Sequence, residues 1–485
     1  MNSIKNLHPQ LVFKYFDEIL QIPRPSKQEQ KIIAYLENFA KEQQLEYKTD
    51  DAGNVLIKKK ASMGFENRKG IILQSHSDMV CEKNADFKHD FENDPIPAFI
   101  DGDWIKSKGT TLGADDGIGM AAALAVLADK ELKHGPIECL FTSDEETGMT
   151  GAIELKPGFL EHSILLNLDS EDEGQLFMGC AGGMDTEGRF NFEEVPVKQG
   201  SYACKIMVSG LKGGHSGDEI NKKLGNSIKL LVRLLSQIDK KTNIQITEIS
   251  GGNLRNAIPR EAYAIISTAQ HKKEEIRLCL NTFLADAERE YIRTEPDLKI
   301  EMETCEIPLT AIDENTKNNL LLALQALHHG VFAMSQTIDA LVETSSNLAS
   351  VKKRAMQIIV GTSQRSSLES AKKHIAETIA STFRLAGAEI IQNGGYPGWE
   401  PNPDSEILKI TEQSYKSLFG KTPEVKAIHA GLECGLFLTK FPQLDMVSFG
   451  PSMKGAHSPD ERLYIPSVEK FWKLLLHILE NAPVS

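Results

Sequence analysis

Apolar positions at helical spacing open the chain. Leu11, Tyr15 and Ile19 recur every fourth residue and predict one helix, after which Pro23 and Pro25 break the pattern. Ser26 and Glu29 read as a capping box that starts a second helix, with Ile33, Leu36 and Phe39 on its apolar face. Beyond it the pattern shifts to short apolar runs separated by helical ones. NVLIK, GIILQSH, IECLFTS and SILLNLD read as strands, and ADDGIGMAAALAVLAD reads as a helix. Short, near-continuously apolar strands between helices predict an α/β unit around a largely buried, mixed and mostly parallel sheet.

From about Phe190 the grammar changes. YACKIMVSG, NIQITEIS, EAYAIISTA and LKIEMETCEI read as strands, interleaved with helices at GNSIKLLVRLLSQI and KKEEIRLCLNTFLADAE. A comparable run follows: helix TKNNLLLALQAL, strands in ASVKKRAMQIIVG, helix SLESAKKHIAETIASTF and strand AEIIQ. NLRNAIPREAYAIIST and NLASVKKRAMQIIVGT align loosely with a one-residue gap, which suggests a doubled α+β unit. NGGYPGWEPNPDS, dense in Gly, Pro, Asn and Asp, reads as the linker that returns the chain to its first domain. The expected organisation is a discontinuous domain of residues 1–186 and 401–485, with 187–400 as an inserted α+β domain.

Composition narrows the function classes. With 485 residues, 41% apolar and 25% charged, the chain is long enough for two or three globular domains and is not of a disordered kind. Its 54 Lys and Arg against 68 Asp and Glu give a net charge of -14 with no sustained basic stretch, which argues against a nucleic-acid partner. No window approaches the ~18 apolar residues of a membrane span. The first turns carry Lys5, Lys14, Asp17 and Glu18 and no apolar run of the kind a secretion signal has. Seven scattered cysteines without a CxxC pair fit reduced thiols and a cytoplasmic location.

The candidate chemistry follows the predicted strands. His76 and Asp78 close GIILQSHSD; residues two apart on a strand share a face, at the end where open α/β sheets gather ligands. A turn or cap is the alternative for that pair. Asp115 lies where a Gly-rich loop meets a helix, as an N-cap or as a carboxylate shared by two cations. Glu145 and Glu146 follow IECLFTS, as a solvated acidic loop or as a pair that needs cations to face one cleft. Asp169 ends SILLNLD, and His457 sits in a Gly/Pro loop after LDMVSFG. Together they fall on one edge of one sheet. Two histidines and three carboxylates, one of them shared, suit two Zn²⁺-like ions. Two dications against Asp115, Glu146, Asp169 and a bridging hydroxide leave a neutral centre, which favours deprotonated water near neutral pH. Glu145, beside a ligand but not one itself, is then placed as the general base.

With these residues in place the chain resembles the M20 metallopeptidases, in particular their aminoacyl-histidine and non-specific dipeptidase branch. The motifs that carry it are IPRPS, SHSDMV, GADDGIGMA, TSDEETGMTGA, LNLDSE, VSGLKGGHSG, GGNLRNAIPREA, YPGWEPNPDS, HAGLECG and GAHSPDE, in one order over essentially the whole chain. The resemblance implies that His76, Asp115 and Asp169 hold one metal, and that Asp115, Glu146 and His457 hold the other. It implies that Asp78 orients His76, that Glu145 moves the proton, and that the inserted domain is a lid carrying His215 to assist the oxyanion. Asp116 stands where Asn is expected in close relatives; it is not an expected ligand.

Further substrate contacts are expected from Arg365, as a fork for the substrate carboxylate, and from Asn256 and the His429–Gly431 turn through amide or backbone donors. The alternative for Arg365 is a surface arginine that begins a helix. His328 and His329 read as structural, ending an apolar helix. Neither Cys81 nor Cys434 has a base beside it in sequence, so a thiol nucleophile is not expected. The expected function is hydrolysis of unblocked small peptides, dipeptides including Xaa-His, with two divalent ions, Zn²⁺ first and Co²⁺ or Mn²⁺ compatible. A homodimer is expected, and a doubled lid favours His215 acting within its own subunit. Alternatives on the same fold are a tripeptidase, a carnosinase-like enzyme or an N-acyl-amino-acid deacylase. A non-catalytic binding protein would be expected to lack some of these residues.

Overall fold

The two N-terminal helices form over Gln10–Ile19 and Gln30–Glu42. In a computed structural model describing residues 3–393 and 395–484, the first buries Val12, Phe13, Tyr15, Phe16 and Ile19. The capping box at Ser26 does not form: the helix starts at Gln30 with no side-chain cap, because the Ser26 hydroxyl donates instead to Asp78 Oδ2 at 2.7 Å. Glu29 accepts from the Lys27 and Asp144 backbone N–H groups. The buried face is Ile32, Leu36, Phe39 and Ala40, one residue round from the expected face through Ile33.

The chain divides into two compact units, Met1–Gly179 with Trp399–Ala427 and Leu432–Ser485, and Cys180–Gly398 with Ile428–Gly431. The position expected for the first boundary, 186/187, falls inside strand Gly182–Asn191, which is paired along its whole length with Gln357–Ser366. Gly394, in the linker, and residues 1–2 and 485 lie outside the described residues.

The first unit is built on an eight-stranded mixed sheet, in the order Glu46–Thr49, Val55–Lys59, Ile137–Thr142, Ile71–His76, Ile164–Asn167, Asp445–Ser448, Gln175–Cys180 and Glu424–Ile428. Its four central strands, from Ile137–Thr142 to Asp445–Ser448, run parallel. They are buried on both faces, as their continuous apolar runs require. Helix Ala114–Ala128 packs between Gln10–Ile19 and strand Ile71–His76 and is buried on nearly every side. Its run of alanines lets these elements approach closely, and each larger buried apolar side chain contributes about 1.5–3 kcal/mol. Strand Ile164–Asn167 stops two residues short of Asp169, which therefore stands in the loop beyond the sheet.

The second unit is an antiparallel sheet backed by helices. Strand Ser201–Ser209, helix Ser227–Thr242, strands Gln245–Gly251 and Ala262–Ala269, helix Lys273–Tyr291 and strand Lys299–Thr304 form a βαββαβ run. Strand Gly182–Asn191, helix Glu314–Ala326, strands Val342–Arg354 and Gln357–Ser366, helix Glu369–Leu385 and strand Glu389–Gln392 repeat that connection. The first run is threaded between the first strand and the first helix of the second. Sheet order in the two runs is mirrored, and they join where Ser250 and Gly251 pair with Lys352 and Val351. One core unites them, with Leu231, Leu234, Ile276, Phe283, Leu324 and Phe383 turned onto the sheet. Among the described residues no helix is long and apolar enough to cross a membrane, and no disulfide joins the cysteines.

Candidate active site

In the first unit, the residues singled out after successive strands meet at the C-terminal edge of the parallel sheet. His76 is the last residue of its strand, and Glu145 and Glu146 open a short helix three residues after Thr142. Asp115 precedes the regular part of helix Ala114–Ala128: it and Asp116 have non-helical backbone angles, and the peptide bond between them is cis. The N-cap is Asp116, whose Oδ1 accepts from the Gly119 N–H at 3.1 Å. That leaves both Asp115 oxygens for other partners. His457 lies in a loop closed by Met453–Lys454 pairing with Arg462–Tyr464, which in turn pairs with Trp104–Ser107, the strand leading to Asp115.

The geometry is two three-residue sets sharing one carboxylate. Asp115 Oδ1 lies 3.0 Å from His76 Nε2, and Asp115 Oδ2 lies 3.1 Å from His457 Nε2. Asp169 Oδ1 stands 3.4 Å from His76 Nε2, and Glu146 Oε2 stands 3.0 Å from His457 Nε2. In each set, His76–Asp115–Asp169 and Asp115–Glu146–His457, the ligand atoms lie within 4.8 Å of one another. A third such set joins His76 to Glu145 and Glu146.

Asp78 serves both sides of the cluster. Its Oδ1 is 3.4 Å from His76 Nδ1 and accepts from the Glu145 N–H at 3.0 Å, and its Oδ2 accepts from the Glu146 N–H at 3.2 Å. It thus orients the imidazole and pins the turn that carries the two glutamates. Burial works against its charge, yet His76, Ser26 and the Glu145 N–H hold its pKa down to about 2.

The remaining titrations show how much negative charge is packed here. Burial lifts Glu145 to about 8, with Glu433, Glu146 and Asp115 adding to it and His76 opposing. Burial likewise raises Asp169 well above the usual carboxylate range. Hydrogen bonds to Asp115 and Glu146 push His457 up to about 11 against the opposing effect of burial. His76 is raised as well, Asp169 and Asp115 outweighing its desolvation. Asp115 is held low, its burial overcome by His457 and His76.

This cluster fits divalent cations. Two imidazoles and three carboxylates make a nitrogen and oxygen set suited to Zn²⁺, Co²⁺ or Mn²⁺. Glu146 Oε1 is buried without a hydrogen-bond partner, an acceptor of the kind a cation would satisfy. Among the described residues the other compact acidic group, Glu29–Asp78–Asp144, is spoken for by protein donors, including the Thr147 and Thr150 hydroxyls on Asp144.

Four residues were given no part in the chemistry from sequence although they lie inside quoted motifs. Glu461, in GAHSPDE, gathers the backbone N–H groups of Leu112 (2.7 Å), Gly113 (3.0 Å) and Ala114 (2.7 Å) and so fixes the approach to Asp115. Arg24, in IPRPS, is buried and donates to the carbonyls of Ser77, Asp78 and Gly113. Gly113 adopts φ +71, and a Cβ there would stand 2.9 Å from the Arg24 guanidinium. Glu433, in HAGLECG, is buried and accepts from Gln74 Nε2 and Thr142 Oγ1, both at 2.8 Å. Ser26 is the fourth, through its bond to Asp78.

The second unit gathers the other candidates. His215 pairs with Ala257 in a two-residue strand, and the Asp218 N–H donates to its Nδ1 at 3.2 Å. Burial, then Arg365, lowers its pKa and keeps the ring neutral. Arg365 is no surface arginine: it lies within strand Gln357–Ser366, is 7% exposed, and donates from Nη1 to the Tyr396 hydroxyl at 2.8 Å. The neighbouring loop carries Tyr396, another residue sequence reasoning missed. Asn256 is exposed and lines a cavity of about 220 Å³ with Arg365 and Tyr396. His429 is buried, shares a 2.7 Å hydrogen bond with Ser345, and is lowered to about 3 by burial, Arg365 and His215. Gly431 stands against Tyr396, where a Cβ would come within 2.8 Å of the ring. His329 accepts from the Leu348 N–H, a structural role.

Comparison with known proteins places this geometry among its relatives. The model of peptidase family M20/M25/M40 matches residues 72–481. The cytosol non-specific dipeptidase of Escherichia coli K12 is 42% identical over 483 residues, covering 100% of both chains. The crystal structure of the aminoacylhistidine dipeptidase of Vibrio alginolyticus has a TM-score of 0.92 at 42% identity, covering 100% of this chain and 99% of that one. A tripeptidase from Staphylococcus aureus covers 98% and 99% with a TM-score of 0.58, and at 18% identity shows the fold alone.

Proposed function

The chain belongs to peptidase family M20, and from that premise we propose that it is a dipeptidase hydrolysing unblocked dipeptides, Xaa-His among them. One observation carries the reading. Asp115 presents one oxygen to His76 at 3.0 Å and the other to His457 at 3.1 Å, which supports it as the shared ligand of two cation sites. The names of two relatives 42% identical to this chain, both dipeptidases, support the substrate class.

His76, Asp115 and Asp169 would hold one divalent ion, and Asp115, Glu146 and His457 the other, with Zn²⁺ the proposed metal. When bound, the ions would polarise the scissile carbonyl and lower the pKa of water. Glu145 takes the proton of the attacking water and later returns it to the leaving amine. Asp78 keeps the His76 ring and the Glu145 turn in place for that transfer. On His215, the Asp218 N–H occupies Nδ1, so the proton of the neutral ring sits on Nε2 and can be donated to the developing oxyanion. Arg365, anchored through Tyr396, binds the α-carboxylate of the substrate. Asn256, His429 and Gly431 are assigned to the same pocket. Catalytic and lid roles for the first and second units belong to this reading, as does a cytoplasmic location, supported by the name of the Escherichia coli relative. The homodimer rests on the resemblance alone.

Metal loading tests the cluster independently of turnover. His457, at about 11, and His76, also raised, carry protons at neutral pH in the metal-free protein, whereas a coordinating imidazole must be neutral. Binding therefore releases protons, and apparent affinity rises with pH. Calorimetric titration of chelator-stripped protein with Zn²⁺, in two buffers of different ionisation enthalpy, should show two ions bound and at least about two protons released per chain, since Glu145 and Asp169 are raised as well as the histidines. Dipeptide hydrolysis should return over the same titration. Zinc binding without proton release, or full activity before any metal is added, would contradict the assignment.

A further inference from the structure

The paired strands Gly182–Asn191 and Gln357–Ser366 present a row of side chains that the roles above only partly use. In register, Arg365 lies opposite Gly183, Ser363 opposite Asp185, and Gly361 opposite Glu187. These positions alternate along each strand and so share one face. Arg365, Gly183, Ser363 and Asp185 all line the 220 Å³ cavity with Asn256 and Tyr396. Its floor is open because Gly183 has no side chain and Ser363 a short one; a Cβ at Gly183 would meet the Tyr396 ring at 2.6 Å. The cavity is smaller than the ~300–1,000 Å³ of a drug-sized site, which suits a single amino-acid residue.

The cavity lining carries charges of both signs, Arg365 and Arg255 against Asp185. Arg365 is buried, with Nη1 held by Tyr396 and Nε lacking any partner, so it retains a donor for an anion. Asp185 is half-buried, and its carboxylate has no hydrogen-bond or ion-pair partner among the described residues. Its charge nevertheless acts on the Tyr396 hydroxyl that Arg365 binds. Glu187, one step further along the row, is already paired with Arg189 at 2.8 Å and Arg255 at 3.0 Å. Asp185 is thus the carboxylate of this row left open to a ligand. It stands diagonal to Arg365, a separation of about 7–8 Å between backbone positions, comparable to the span from the α-carboxylate of an amino acid to the tip of its side chain.

We propose that Asp185 selects dipeptides whose C-terminal residue carries a basic or N–H-donating side chain, histidine, lysine or arginine, while Arg365 holds the α-carboxylate of that residue. The second half rests on the reading of Arg365 above. The first adds a side-chain contact that favours such substrates over apolar ones, since an aliphatic C-terminal residue would leave Asp185 desolvated and unmatched.

The test measures kcat and KM of the metal-loaded enzyme for Ala-His, Ala-Lys and Ala-Leu, comparing wild type with Asp185→Asn, Asp185→Ser and Arg365→Met. Asp185→Asn keeps size and should preserve folding and metal content; Asp185→Ser checks the result with a different side chain. Both Asp185 variants should lower kcat/KM for Ala-His and Ala-Lys by about ten- to a hundredfold, mainly through KM, and change Ala-Leu by less than about threefold. Equal losses on all three substrates, or no loss on any, overturn the role of Asp185. Arg365→Met should raise KM for all three alike. An unchanged KM there overturns the carboxylate assignment, and a selective loss in the Asp185 variants would still identify the side-chain contact.

Discussion

Glu145→Gln should lower dipeptide turnover by about 10²- to 10⁴-fold while two metal ions remain bound. Glutamine keeps the shape and the backbone bond to Asp78 but cannot accept a proton. Glu145 suits the role because its N–H is pinned at 3.0 Å to Asp78 and its side chain lies within ligand-atom reach of His76 and Glu146. In the metal-free protein, burial and neighbouring carboxylates hold its pKa near 8. Two dications beside it act in the opposite sense, favouring the charged form that can serve as base. Steady-state turnover and elemental analysis on the same preparation separate the outcomes. Full activity would remove Glu145 as the base; loss of a metal ion would move it into the ligand set, as the His76–Glu145–Glu146 grouping allows.

Asp115→Ala should be at least as damaging, for a different reason. The substitution removes both oxygens of the carboxylate that faces His76 and His457, so metal content should fall below two per chain and turnover at least as far as in Glu145→Gln. Asp116→Asn is the control. Asp116 caps the helix through Gly119, a bond that Asn also makes, and burial with Asp169 nearby raises its carboxyl pKa well above the usual range. It should retain both metals. An Asp115→Ala protein with two tightly bound ions and undiminished turnover would rule out a shared ligand at this position.

The contrast between Asp115 and Asp116 shows what the sequence could and could not say. Strands such as IILQSH and helices such as SIKLLVRLLSQI were legible because their apolar periods are local, and the placement of His76, Glu145 and Asp169 after strands followed from that. Division of labour between adjacent aspartates was not, since it depends on backbone angles. Ser26 shows the same limit: an apparent capping box dissolved because a carboxylate 52 positions away claims the hydroxyl. Glu461 reaches backbone donors up to 349 positions away, and Arg24 bonds carbonyls on two separate segments. No periodicity in the chain records such contacts, although both residues lie in segments that the family resemblance had marked. The strand order of the second unit became visible only through pairing, since a loose repeat of sequence carries no register.

Catalysis on unblocked dipeptides is best tested by a substrate panel with zinc-reconstituted protein. Dipeptides such as Ala-His, a matched tripeptide and a matched N-acetyl amino acid should be assayed side by side for kcat/KM. The dipeptides should exceed both other classes by at least about tenfold. Equal or faster hydrolysis of the tripeptide or the N-acetyl amino acid would contradict the dipeptidase reading.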